Sequence, residues 1–110
     1  MRPYTTPALG SVTISDPVKV DYAQHDFNIG LSLNVVSGTN TSSVQYSLDD
    51  PDAVYATDYN TDAIWYDVTG LDAKTADTSA ALIVPCRAVR LNMTAWTSGT
   101  ATLTIVQAHQ

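Results

Sequence analysis

The chain contains no glutamate: all 11 acidic residues are Asp, set against 5 Lys and Arg together. Charged residues make up only 15% of the sequence, so the Glu, Lys and Arg that normally build exposed helix faces are scarce. A single cysteine, Cys86, excludes an internal disulfide. Its strand-like neighbours make it packing rather than chemistry. No apolar run approaches the ~20 residues a membrane-spanning helix needs, and residues 1 to 25 hold no continuous apolar stretch. Neither a span nor a signal peptide is therefore expected. No basic cluster offsets the net charge of −6, and an acidic surface repels phosphate, so no nucleic-acid or membrane partner is expected.

Reactive constellations are equally thin. His25 and His109 stand near opposite ends of the chain. No Ser or Cys carries a nucleophile motif around it, and there is no glycine-rich phosphate loop. In "LDDPD", Asp49, Asp50 and Asp52 share a loop with the carboxylates a calcium ion takes, but the spacing is not that of an EF-hand. Asp and Pro are ordinary turn residues, and the loop is read that way. Asp21 with Asp26, and Asp58 with Asp62, read as solvated surface. An enzyme is not expected, nor a cofactor or a metal.

What is present is strand chemistry. Thr is abundant, and Thr, Val and Tyr favour the pleated, half-buried surface of a sheet. A chain of 110 residues is one domain with one core. The opening "MRPYTTPALG" has two prolines, a glycine and no period, and reads as an extended arm over residues 1–10. The sandwich domain then occupies 11–110. "SVTIS" and "VKVDY" are short strand candidates parted by the turn signal Asp16-Pro17. In "DFNIGLSLNVV", Phe27, Ile29, Leu31, Leu33 and Val35 share one face. "SVQYSLDD" alternates again, with Val44, Tyr46 and Leu48 inward. Pairing Val35 with Val44 puts both apolar sets on one side, and a four-residue loop, Gly38 to Thr41, would close the hairpin. Residues 50 to 80 are less regular: "AIWYDV" reads as a short strand, "AVYA" as a candidate, and "LDAKTA" fits a single helical turn. Pro85 signals a strand start, a bulge or an edge.

"RLNMTAWTSGTATLTIVQ" reads as a second hairpin. A two-residue Ser98-Gly99 turn would set its apolar sets on opposite faces. A three-residue loop of Thr97, Ser98 and Gly99 instead pairs Ala95 with Ala101, Met93 with Leu103 and Leu91 with Ile105. The outward face then carries Arg90, Asn92, Thr94 and Trp96 opposite Val106, Thr104, Thr102 and Thr100. Three readings of Trp96 stand: it folds over its own loop, it contacts a partner, or it stacks on a sugar or base. The expected architecture is all-β, a small antiparallel β-sandwich or jelly roll with an extended N-terminal arm.

The succession "VQYSLDDP", "IWYDV" and "LIVPCRAVRLNMTAWTSGTATLTIVQ", within residues 30 to 107, resembles the small structural β-sandwich proteins that tailed bacteriophages encode beside their capsid genes. Several of these are capsid decoration (cement) proteins. The resemblance implies a structural virion protein on the capsid exterior, made in the host cytoplasm. Its partner would be the major capsid protein, and it would sit on the shell as a homo-oligomer, a dimer or trimer. Head-tail, tail or fibre parts, and a carbohydrate- or receptor-binding sandwich module, are the alternative readings. The candidate protein-contact residues are Arg2 and Tyr4 in the arm and Arg90 and Trp96 on the outward face.

Overall fold

The structure, a computed structural model, describes residues 4–20, 28–36, 38–49 and 63–107. Among the described residues there are nine strands and no helix. They are β1 (Tyr4–Thr5), β2 (Thr13–Ile14), β3 (Val18–Lys19), β4 (Ile29–Val36), β5 (Asn40–Ser47), β6 (Trp65–Asp67), β7 (Thr78–Leu82), β8 (Ala88–Trp96) and β9 (Thr100–Gln107). The first sheet has the order β1-β9-β4-β7. The second has the order β2-β8-β5-β6, with β3 also on β8.

This order is a nested set of antiparallel pairs. β5 lies on β6, β4 on β7, β2 and β3 on β8, and β1 on β9, each pair enclosing the one before it in sequence. The doubled chain then curls until β8 meets β5 and β9 meets β4. That wrapping is the jelly roll. β2 and β3 are one strand with an irregularity at Asp16-Pro17: the five steps from Thr13 to Val18 face the four from Met93 to Val89. Proline cannot donate to a ladder, so the extra residue falls where the break is cheapest.

The core lies between the sheets. Ile29, Leu31, Leu33, Ala101, Leu103 and Ile105 come from the first sheet, and Val44, Val89, Leu91 and Met93 from the second. Leu71, Val68, Val20, Leu82 and Cys86 close the ends. Each large side chain contributes about 1.5–3 kcal/mol by leaving water. The alternation therefore placed the inward residues well. Among the described residues Leu48 and Ala95 are the exceptions and are exposed, and Phe27 lies outside the described residues.

Strand partnership differs from both expected hairpins. β4 does not pair with β5: Val35 faces Ala101 in the ladder, and Val44 faces Leu91. β8 does not pair with β9: Ala95 faces Thr41, while Leu103 faces Leu33. Both connections are arches that carry the chain from one sheet to the other. A period of two tells which side chains point to the core, and it serves equally for strands side by side or face to face. The loops are short enough for either.

The helical turn expected at "LDAKTA" is absent. Leu71 is buried in the core, Ala73 takes a positive φ of 53°, and Lys74 forms a β-bridge with Ser42 through Ser42 N–H to Lys74 O (2.9 Å) and Lys74 N–H to Ser42 O (2.8 Å). Core burial of Leu71 and these two bonds outweigh a weak local preference. The expected strand "AVYA" lies outside the described residues. Pro85 stands between β7 and β8, where the chain leaves one sheet for the other. Residues 4 to 9 of the expected arm run extended along β9: Tyr4 pairs with Ile105, and Leu9 bridges Ala101.

Candidate interaction surfaces

The outer face of the second sheet carries a linked polar stack. Gln45 Nε2 donates to Asp67 Oδ1 (3.0 Å), and Arg90 Nε donates to Gln45 Oε1 (2.9 Å). The Arg90 guanidinium also lies 4.1 Å from the centre of the Trp65 ring. These residues come together because Gln45 faces Arg90 and Asp67 in neighbouring ladders, and Trp65 and Asp67 are two apart on β6, on the same side. Arg90 is on the outward face as expected, but it is 7% exposed and faces Gln45, not Val106. Its charge is spent inside the molecule, on a carbonyl oxygen and an aromatic face. Beside it, Ala88 and Ala63 are buried against Trp65.

At one end, the two arches lie side by side and are laced together. Thr97 N–H and Ser98 N–H both donate to Thr39 O (2.9 and 3.1 Å), Thr39 N–H donates to Ser98 Oγ (3.0 Å), and Asn40 Nδ2 donates to Ser98 O (3.1 Å). Gly38 and Gly99 hold positive φ angles of 92° and 84°. A Cβ on Gly38 would stand 2.5 Å from the Ser98 carbonyl carbon, so only glycine lets the arches approach. Trp96 belongs to this end. Its indole Nε1 donates to Gly99 O (2.9 Å), so the ring folds over its own loop while 43% of its surface stays exposed. Facing it in the ladder is Asn40, whose buried Oδ1 has no partner among the described residues.

The first sheet is of another kind. None of its strands β1, β4, β7 and β9 contains a charged residue. Its outer face presents Thr100, Thr102, Thr104 and Val106 from β9, with Gly30, Ser32 and Asn34 from β4 and Ser79 and Ala81 from β7. Thr5, Thr104, Ser32 and Ser79 stand opposite one another in a row across all four strands. Thr5 and Thr104 share a hydroxyl–hydroxyl hydrogen bond of 3.0 Å. A shallow groove of about 480 Å³ crosses this face, lined by Gly30, Ser32, Ser79, Ala81, Thr104 and Val106.

Tyr4 sits elsewhere again. It is 43% exposed and lines a cleft of about 240 Å³ between the β1 and β2 edges, with Pro7, Leu9, Ile14 and Asp16. Two buried hydroxyls also line this cleft. Thr6 Oγ1 accepts from Leu103 N–H (3.0 Å), and Ser15 Oγ accepts from Leu91 N–H (2.8 Å). Each satisfies a central-strand donor where its own edge strand has ended. No sequence pattern marks these two residues, because any Ser or Thr beside a strand looks the same.

Of the candidate contact residues, Arg2 lies outside the described residues, and Tyr4, Arg90 and Trp96 are not brought together. Tyr4 is on the first sheet, and the other two are on the second. Asp49 Oδ2 accepts from Ile64 N–H (2.8 Å), a loop-closing role, while Asp50 and Asp52 lie outside the described residues. Among the described residues no three His, Cys, Asp or Glu side chains gather as a metal site. Cys86 is buried, and burial pushes its thiol from 9.0 up to about 12. No protein-family model matches the chain, and no curated protein matches it.

Proposed function

We propose that this protein is a structural virion component that decorates and stabilises a bacteriophage capsid, lying on the outer shell surface against the major capsid protein. The observation that carries the reading is the uncharged outer face of the first sheet. Such a face can be covered by another protein without stripping water from a charge, which is the costliest part of forming an interface. The net charge of −6 suits the outside of a shell better than a DNA-filled interior. Decoration requires a rigid body and a contact face, and many weak contacts repeated by symmetry give avidity. The jelly roll serves many functions, so the fold supplies rigidity and no more.

The test is to mix the purified protein with undecorated shells of the phage that encodes it, pellet them, and count copies per shell. Saturation at a fixed ratio to capsid subunits is expected. Thr102→Asp, at a half-buried position in the middle of the uncharged face, should lower shell binding at least tenfold while the melting temperature holds. No saturable binding overturns the proposal and favours the tail or glycan-binding readings. Unchanged binding by Thr102→Asp removes the first sheet as the contact.

A further inference from the structure

We infer that two copies of this chain join through β7, edge to edge and antiparallel, in a twofold dimer. Each sheet has two edges, and among the described residues three of the four are guarded in the ways proteins use to prevent strand addition. β1 is two residues long and is followed by Pro7. The β2–β3 edge is broken at Asp16-Pro17 and carries Lys19. β6 is three residues long and ends in Asp67. The fourth edge, β7, has none of these features. It spans five residues, pairs with β4 on one side only, and contains no charge, proline or bulge.

The apolar run also outlasts the strand. Leu82 pairs with Ile29, the first residue of β4, so Ile83 and Val84 continue past the end of their partner. They are exposed, Ile83 by 70%. From Thr78 to Val84 the sequence "TSAALIV" is uncharged, bounded by Asp77 on one side and Pro85 on the other. Asp77 is itself engaged, accepting from Val35 N–H at 2.7 Å.

The run fits a second copy of itself. Its middle residue is Ala81, and antiparallel pairing about Ala81 sets Ser79 against Ile83 of the second copy, with Thr78 level with Val84, where the chain bends and the paired run ends. Asp77 then falls opposite Pro85 of the second copy, so neither copy's carboxylate meets its twin and the residue without an N–H lies beyond the paired run. Parity is kept as well: residues facing each other across the seam point to the same side of the joined sheet. Ile83 of the second copy would reach the rim of the shallow groove at Ser79, where Ser32, Gly30 and Ala81 leave room. A chain of net charge −6 meets its twin most easily along a neutral edge. With one bare edge among the described residues, the pairing closes as a dimer and does not grow into a fibre. The joined first sheets would form one uncharged face of eight strands, twice the 4 of a single copy. The inference stands on the edge alone and does not depend on the role proposed above.

The test measures the solution mass of the full chain by light scattering over a concentration series. A reversible dimer is expected. Ala81→Lys, at an exposed position, sets two ammonium groups side by side at the axis and should halve the mass, while its melting temperature matches that of the natural chain diluted to the monomer. Ala81→Cys should be joined into a covalent dimer by a short bifunctional thiol reagent, since cross-strand Cβ atoms at an axis stand about 4.5–5.5 Å apart, while Thr94→Cys on the other sheet should not. The native Cys86 is buried and does not compete. A monomer at every concentration overturns the inference. So does a dimer that Ala81→Lys leaves intact, or one that Ala81→Cys fails to cross-link.

Discussion

The two sheets share one core and differ on their outer faces. Behind the second sheet, Asp67, Gln45, Arg90 and Trp65 are bonded or stacked in sequence, and Ala63 and Ala88 are buried under the tryptophan. That face already has a cover made by its own chain. Behind the first sheet, Thr, Ser, Gly and Ala stand in open rows with no charge among them. An Arg is expensive to bury unless it is engaged, and here Gln45 Oε1 accepts from its Nε and the Trp65 ring faces its cation. A threonine face needs no such provision, because its hydroxyls can turn to water, to each other or to a partner. The position of charge therefore separates a face finished within the molecule from one left open to another.

The sharpest way to break the comparison is at the seam between the sheets. Gly38→Ala puts a Cβ 2.5 Å from the Ser98 carbonyl carbon at a φ of 92°, so the arches must part. The left-handed strain alone costs about 1–3 kcal/mol, and the clash adds to it. Gly30→Ala, on the open face of the first sheet, meets nothing nearer than the Val106 carbonyl oxygen at 3.6 Å and should be near neutral. Chemical denaturation of both variants checks this. Equal losses would mean that the arches are not locked together.

A smaller effect sharpens the contrast between the faces. Arg90→Ala removes the donor to Gln45 and the cation over Trp65, leaving buried polar atoms behind, and should cost about 1–3 kcal/mol. Thr102→Ala on the first sheet should stay within about 0.5 kcal/mol. If the two variants melt alike, the stack behind the second sheet contributes nothing and the two faces are equivalent.

Why the sequence showed the faces but not the pairs follows from the same geometry. In β4, Ile29, Leu31 and Leu33 declare their side by alternation, and all three are buried. The same alternation in β5 and β9 suits a neighbour in the sheet and a counterpart across the core equally well. Only the closure of the nested ribbon decides, and that depends on residues far apart: Leu33 meets Leu103, and Val44 meets Leu91. The stack was hidden for a related reason. Arg90 and Gln45 are 45 positions apart, and nothing local to either announces the other. Trp96 was more legible, because Gly99 stands three residues away and a hydrogen bond to the loop is a local event. The bare edge of β7 was legible in part: "TSAALIV" lacks charge in the sequence, but only the strand order shows that nothing in the described structure lies beside it.

The smallest effect at neutral pH lies at Cys86, in the segment where the chain passes from β7 of the first sheet to β8 of the second. Its thiol is buried and held protonated up to about 12, against 9.0 when solvated. The unfolded chain loses this proton first as pH rises, so unfolding gains free energy in alkali. Stability from this group is complete below pH 9.0 and is lost as pH climbs toward about 12. By pH 10 the loss amounts to about 1.4 kcal/mol, one tenfold step in the unfolding equilibrium. The contrast is made with Cys86→Ala, which removes this thiol and leaves every other side chain in place. The variant's stability should decline less steeply between pH 9 and 10 than that of the natural chain, whatever its absolute stability. Parallel slopes would mean that the thiol is reached by water in the folded protein, and that the crossing between the sheets is looser than the close packing of Cys86 requires.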